Sequence, residues 1–463
     1  MDKTADHPAH TLESHVARHA LTQPERVAIV CQGQPTTYRE LWQATLACQE
    51  QLRSEGAAQG KPHFFRATPS VDFFIHYMAA HLLGAAAAPL GMHLPEAAAN
   101  HICQLYGGET MPHSDHPAER IADILFTTGS TGKQKGVMLS QRALMANADN
   151  LISAQGFTAE TVFIICGPLD HIGSLSKIWP VLIEGGTLIV LDGMKDMTAF
   201  FDAFSYPSRK LATFMVPASI RLMLQLGEKK LARLADKIDF IETGGAAITL
   251  SDMEQLCKAL PKTRLYNTYA STETGIIATY DYNHLPCVAG CCGKAMRNAA
   301  FAITPDGTIA CSGQTIMSGY LGKSELTRTV MRNGTVFTND LGRTDDQGML
   351  HITGRNSDII NIGGFKVSPL EVESAALTHP AVADCVCCAA HSDIFGQTIK
   401  LVYTTAEGCE ISKKELARHL ALQIEAYKIP RLFEPTEAIR HLFNGKLDRA
   451  YYTSAPPTAA EKA

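Results

Sequence analysis

Apolar positions along this chain fall into three textures. Up to about residue 300, short apolar runs at 27–31, 162–166, 187–191, 213–216 and 238–242 each meet Gly, Pro or Asp within two residues. Helical periodicity fills most of the chain between them. Strands alternating with helices predict an α/β architecture built on largely parallel sheets, with the Gly, Pro and Asp marking the loops that leave each strand. From about 301 the runs shorten, and Asp306-Gly307, Asn333-Gly334 and the Asp346 to Gly348 turn read as hairpin corners of a β-rich subdomain. Past Arg355 a third pattern begins, with a helix over 369–378, strands over 382–390 and 397–404, and a helix over 412–425. The change of texture puts a domain boundary at 354–358, dividing a large N-terminal domain (1–354) from a small α+β C-terminal one (355–463).

The stretch 71–90 is apolar enough to ask whether it spans a membrane. It carries Asp72, His76 and His81, with Gly84 in the same run. An Asp at the bilayer centre costs about 2.5–3.5 kcal/mol, so the stretch predicts a buried helix running into a strand at 85–90, with no membrane span. The 463 residues are 46% hydrophobic and 19% charged, which is ordinary globular usage. With 41 basic against 46 acidic residues and no basic block, the charge pattern of a nucleic-acid binder is missing. Thirteen cysteines, and Asp2, Lys3, Asp6 and His7 where a secretory signal would need apolar residues, lead us to expect reduced thiols in the cytoplasm. Cys287, Cys291 and Cys292 lack the C-x2-C spacing of a zinc site, and Cys385 with Cys388 has it but no second such pair to complete one. The second group sits in an apolar run, where Cys acts as a small hydrophobe.

The candidate chemistry lies in segments that are mostly loops. The apolar run 121–126 enters Thr127, Thr128, Gly129, Ser130, Thr131, Gly132, Lys133, Gln134 and Lys135. Glycines allow backbone N–H groups near an anion, hydroxyls donate to its oxygens, and lysines supply charge, which together suit a polyphosphate. Gly129 and Gly132 are too close for the P-loop spacing GxxxxGK[ST], which disfavours a P-loop kinase. Further along stand Pro168-Leu-Asp-His171-Ile172-Gly173, Gly244-Gly245-Ala246-Ala247, Asn267, and Tyr269-Ala270-Ser271-Thr272-Glu273. These are followed by Thr338-Asn339-Asp340-Leu341-Gly342, Gly354-Arg355, the segment Gly363 to Glu373, and Asn444-Gly445-Lys446-Leu447-Asp448-Arg449. Read alone, Asn444-Gly445 is a hairpin turn beside an ordinary exposed lysine.

Taken in order, these segments resemble the motifs of the adenylate-forming superfamily of acyl-CoA synthetases, peptide-synthetase adenylation domains and luciferases, over nearly the whole chain. The resemblance implies an ATP- and Mg2+-dependent ligase that converts a carboxylic acid to acyl-AMP and passes the acyl group to the thiol of coenzyme A. It implies that residues 127–132, Lys135, Gly244, Gly245, Ala246, Asn267, Tyr269, Ala270, Ser271, Thr272, Asp340, Arg355 and Lys446 bind the nucleotide. Within that set Tyr269 stacks on adenine, Thr272 meets the α-phosphate and Asp340 holds the ribose hydroxyls. Glu273, with Thr127, holds the Mg2+ ion, since a carboxylate beside a polyphosphate makes sense only through a cation. His171, Ile172, Gly245, Ala247 and Ala270 line the acyl pocket, while Gly363 and Gly364 meet CoA. Lys446, Glu273, His171 and Lys135 are the catalytic candidates. The small domain is expected to be mobile, turning between adenylation and thioester formation.

This chain departs from the family pattern at four positions: Gln134 stands for Pro, Ala270 for Gly, Asn339 for Gly, and Ser357 where hinges carry Asp or Lys. Ile172 replaces the Asp that amino-acid-activating relatives use for a substrate ammonium. Ala270 and the His171 ring point to a small, medium-chain or aromatic acid. The rival readings are a stand-alone enzyme loading a carrier-protein phosphopantetheine and a non-catalytic sensor of AMP or acyl-adenylate. A sensor has no need of both Glu273 and Lys446.

Overall fold

The computed structural model describes residues 11–112, 114–128, 134–194, 196–362, 364–392, 396–442 and 447–454. The apolar runs become a central eight-stranded sheet. Its order is Gly275–Asp281, Arg264–Ser271, Ile238–Gly244, Leu211–Met215, Val162–Ile165, Thr187–Val190, Val27–Cys31 and Gln34–Thr37. The six inner strands run parallel and the two outer ones return antiparallel. Strand side chains alternate between faces, and helices cover both. One face buries Phe163, Leu188, Ala212 and Phe240 against the Ile172–Glu184 helix. The other buries Ile164, Ile189, Leu211 and Ile241. The predicted strands 162–166, 187–191, 213–216 and 238–242 each overlap one of these inner strands.

A second, five-stranded sheet runs Gly319–Tyr320, Gln134–Ser140, Ile121–Thr128, Ala86–Gly91, Pro62–Ala67. The stretch 71–90 feeds it: a helix over Val71–Leu82 buries Phe73, Phe74, Tyr77 and Met78 and leads into strand Ala86–Gly91. Among the described residues no helix is long and apolar enough to cross a membrane. His81 is tolerated there because its ring sits between two carboxylates, Glu13 Oε1 at 2.7 Å from Nδ1 and Asp123 Oδ1 at 3.1 Å from Nε2. Tyr77 donates to Asp123 Oδ2 (2.9 Å), and Trp179 donates to Tyr77 (2.9 Å). Burial opposes a charge on His81, but Glu13 and Asp123 outweigh it and push its pKa up to about 10.

The β-rich part is an antiparallel sheet of Cys291–Gly293, Leu350–Arg355, Thr335–Thr344, Thr308–Gly313 and Ala299–Ile303, with Met331–Arg332 alongside Thr335–Thr344. The three predicted corners all join antiparallel neighbours. At one of them Asn333 and Gly334 have φ of 50° and 70°, both left-handed as a two-residue type I′ turn requires. The C-terminal part has its own sheet, Val382–Ser392, Gly396–Thr405 and Leu432–Pro435, with helices Pro369–Ala376 and Lys413–Ala421. Its core includes Val372, Cys385, Cys387, Leu401, Leu416 and Leu420. Cys385, Cys387 and Cys388 are buried thiols in its first strand. The helix predicted over 412–425 stops at Ala421, leaving Leu422 exposed.

Candidate active site

The residues expected at the phosphates flank two paired strands. Ile121–Thr128 and Gln134–Ser140 run antiparallel, so Thr127 lies opposite Lys135 and Thr128 opposite Gln134. The loop residues Gly129, Ser130, Thr131 and Gly132 fall outside the described residues, as do Gly363 and Lys446. The Thr127 hydroxyl is buried with no hydrogen-bond partner among the described residues. A buried, unpaired hydroxyl is costly, and at the mouth of a polyphosphate loop it fits an oxygen-seeking ligand. Lys135 Nζ donates to Tyr320 OH (3.2 Å) and lies 3.8 Å from Glu273 Oε1. Tyr320 OH donates to the same Glu273 oxygen at 2.9 Å. Burial, then the Glu273 charge, holds this phenol far above its ordinary pKa, so it stays protonated.

Glu273 stands in the turn joining Arg264–Ser271 to Gly275–Asp281. Ser271 N–H donates to Thr274 Oγ1 and Thr274 N–H to Ser271 Oγ, both at 3.1 Å, which pins the turn carrying Thr272 and Glu273. Met317 N–H donates to the Glu273 carbonyl at 2.9 Å. A carboxylate and a hydroxyl without a partner among the described residues, near a lysine, form a hard-oxygen donor set that fits Mg2+ with polyphosphate, and Glu273 and Thr127 would be the residues to hold it.

Of the residues expected at the nucleoside, Tyr269 lies on the same hairpin. Tyr269 is buried, and its hydroxyl donates to Asp340 Oδ2 at 2.9 Å. Arg355, opposite Asp340 in the neighbouring strand, donates from Nε to Oδ1 at 2.7 Å. Asp340 N–H is in turn taken by Thr338 Oγ1 at 3.1 Å. Asn339 donates to Ser357 Oγ at 2.7 Å, and Ser357 donates to Asp358 Oδ1 at 2.9 Å. Two of the departures from the family pattern are thus each other's partners. Asn267 is buried with its amide given to the Cys291 carbonyl (2.7 Å), so the side chain braces a neighbouring strand.

On the acyl side, His171 is the residue before the Ile172–Glu184 helix, and its carbonyl accepts the Ser174 and Leu175 N–H groups. Its ring is exposed, with Nε2 3.9 Å from Asp170 Oδ2. Gly245, Ala246 and Ala247 form an exposed loop after strand Ile238–Gly244. Ala270 and Ile172 are half-buried against the same core as Phe214. A Cβ at Gly173 would fall 2.8 Å from the Phe214 ring, and one at Gly244 2.7 Å from the Thr268 carbonyl and 3.6 Å from Phe214. Glycine is needed at both for this close approach. Behind Phe214, Lys177 Nζ donates to Glu242 Oε1 at 2.7 Å, and both side chains are 1% exposed. Glu242 Oε2 has no partner among the described residues. Burial lowers the Lys177 pKa, and Glu242 partly offsets this. The sequence reading did not single out Tyr320, Phe214, Lys177 or Glu242. The lysine in an apolar helix and the glutamate in an apolar strand were the visible signals.

The sequence profile of the AMP-binding enzyme family matches residues 16–111 and 104–321. That of the AMP-binding enzyme C-terminal domain matches residues 371–446. The chain belongs to the AMP-binding enzyme family. Among relatives of this AMP-binding enzyme, a 2-succinylbenzoate–CoA ligase of Staphylococcus epidermidis is 29% identical over 338 residues, covering 72% of this chain and 69% of the relative. 4-Coumarate–CoA ligase 3 of Oryza sativa subsp. japonica is 27% identical over 357 residues, covering 72% and 63%. Among solved structures, ATP-bound MatB from Rhodopseudomonas palustris superposes with a TM-score of 0.87 at 22% identity, over 96% of this chain and 99% of that one. The o-succinylbenzoate CoA synthetase MenE of Bacillus subtilis, in complex with its acyl-adenylate, gives 0.79 at 23%, over 96% and 98%. The AMP-binding enzyme thus shares their fold, a large N-terminal domain with a smaller C-terminal one.

Proposed function

We propose that this AMP-binding enzyme is an AMP-forming acid–thiol ligase, activating a carboxylic acid with MgATP and transferring the acyl group to CoA. The observation that carries this reading is the single hairpin that presents Tyr269, with Asp340, at one point and Glu273, with Lys135, four residues further on. A nucleoside and its phosphates need those two stations on one rigid support. A carboxylate is a poor acyl donor because its leaving group is oxide. Attack of its oxygen on the α-phosphorus breaks the bond to pyrophosphate and leaves the acyl group on AMP. Attack of the thiol on the acyl carbon then releases AMP. Charge gathers on phosphate oxygens in the first step, so positioning and electrostatic stabilisation by Lys135 and Lys446 do most of the work, and Mg2+ when bound neutralises that charge.

The acceptor is taken as CoA because the curated relatives are CoA ligases, and Gly363 and Gly364 are assigned to it. The domain boundary is placed at 354–358, with a small C-terminal domain that turns between the two steps. Phe214, backed by the Lys177–Glu242 pair, supports a short pocket for a small or single-ring acid. None of the thirteen cysteines is in a disulfide, which supports the cytoplasm as the working compartment. The test is pyrophosphate release over a panel of carboxylic acids, with and without CoA. AMP and pyrophosphate are expected with the right acid, whereas ADP and phosphate would overturn the reading. Mass spectrometry of the thioester distinguishes CoA from a carrier-protein acceptor.

A further inference from the structure

Between Lys135 and Glu273 stands a group that neither of their motifs contains. The Tyr320 ring is buried and its backbone is clamped. Strand Gly319–Tyr320 pairs with Gln134–Ser140, placing Tyr320 opposite Val137, two residues beyond Lys135. Its N–H donates to Thr327 Oγ1 at 2.9 Å. Lys135 Nζ lies 4.6 Å from the centre of its ring. We propose that Tyr320 is a positioning residue of the cation site, whose hydroxyl keeps the Lys135 ammonium and the Glu273 carboxylate from closing into a direct ion pair. The inference rests on the reading of Glu273 as the cation ligand.

A phenol has one proton to give and lone pairs to receive. The proton goes to Glu273 Oε1 at 2.9 Å, and one Lys135 N–H comes in at 3.2 Å. Among the described residues each charged group therefore has one hydrogen bond, and the rest of its hydrogen-bonding capacity is left for ligand. The carboxylate keeps Oε2, which no donor among the described residues takes, and two of the three ammonium protons meet no hydrogen-bond acceptor among the described residues. The two charges stand 3.8 Å apart, and a shift of about 1 Å would bring them to the ~2.7–2.9 Å of a charge-assisted hydrogen bond. Such a pair would cancel the carboxylate that must meet a cation and the ammonium that must meet phosphate. The hydroxyl that bridges them also separates them.

Tyr320→Phe removes the hydroxyl and keeps the ring, hence its packing and the lysine above it. The readout is calorimetric binding of α,β-methylene-ATP, which cannot be cleaved at the bond in question, with Mn2+ and with EDTA. The ratio of the two affinities measures how well metal and nucleotide are coupled. Tyr320→Phe is expected to lower that ratio by at least tenfold, leave binding in EDTA within about twofold, and leave the thermal midpoint unchanged. In a Lys135→Gln background no ammonium remains to collapse onto Glu273, so adding Tyr320→Phe should change the ratio by less than twofold. An unchanged ratio in Tyr320→Phe overturns the proposal, as does an equal loss in EDTA, which marks a merely structural role. An undiminished loss in the Lys135→Gln background overturns the separating role. Wild-type protein that binds the analogue no better with Mn2+ than with EDTA would instead overturn Glu273 as the cation ligand, and this inference with it.

Discussion

Asp340 owes its usefulness to two neighbours. Tyr269 and Arg355 each take one of its oxygens, so the carboxylate is fixed in direction before any ligand arrives. Hydrogen bonds to a charged group contribute about 1.5–3 kcal/mol, and a fixed acceptor loses little in ordering. Asp340→Asn should therefore raise the KM for ATP by roughly tenfold to a hundredfold with a smaller change in kcat, read from steady-state pyrophosphate release. Lys446 is expected to act in one half-reaction only. Losing a preorganised donor costs about 10²–10³ in rate. Lys446→Ala should lose that much in adenylation, yet form thioester from synthetic acyl-adenylate and CoA within roughly tenfold of wild type, or ~1.4 kcal/mol. Equal loss in both steps would make the lysine structural. Thr127 and Lys135 stood out in the sequence because hydroxyls, charges and glycines at close spacing have few structural uses, whereas Glu273 and Asp340 were marked only by the resemblance of their segments to family motifs. Tyr320 and Phe214 were not marked at all, because a buried tyrosine or phenylalanine in an apolar setting looks like core. Only their nearness to residues more than a hundred and seventy and about forty positions away, respectively, shows otherwise.

At the scale of elements, the parallel strands were the most legible part, since burial on both faces demands continuous apolar runs. The edges were less so. Gln34–Thr37 is polar, and it becomes a strand because Val27–Cys31 offers it an unpaired edge. Helix Ile172–Glu184 is joined to strand Ile238–Gly244 by the buried Lys177–Glu242 pair. Removing one member of such a pair leaves a buried charge unpaired, at about 3–5 kcal/mol. Glu242→Ala should lose that much in urea unfolding, whereas Lys177→Met with Glu242→Leu should recover most of it. A second tie, among the helices of Glu13 and His81 and the strand of Asp123, depends on pH. The His81 pKa rises from 6.5 to about 10 on folding, so its contribution is full below pH 6.5 and is lost as pH climbs towards 10. The denaturation midpoint should fall across that window in wild type and less steeply in His81→Gln.

Across the whole molecule, several side-chain contacts tie the C-terminal part to the rest of the chain, among them Ser368 Oγ donating to the Thr353 carbonyl at 2.9 Å. Arg221 is shared between Asp252 (2.8 Å) and Asp384 on the first C-terminal strand (2.7 Å), and Asn339 reaches Ser357 beside the ribose site. If the small domain turns between half-reactions, Arg221 must release Asp384. Asp384→Asn should then weaken the docking seen here, speed proteolytic cleavage near residues 354–358 and leave the Asp340 site intact, as judged by AMP affinity. No change in cleavage would mean the pair does not hold the domain. The central sheet also sets a schedule for biosynthesis. Ile29 pairs with Leu188, 188 − 29 = 159 residues later. At about 5–20 residues per second of synthesis, the N-terminal strand waits roughly 8–30 s for its neighbour. During that wait the hairpin over 27–37 has a bare apolar edge. Nascent chains stalled before residue 187 should therefore be retained by ribosome-associated chaperones, and chains extended past 190 should be released from them.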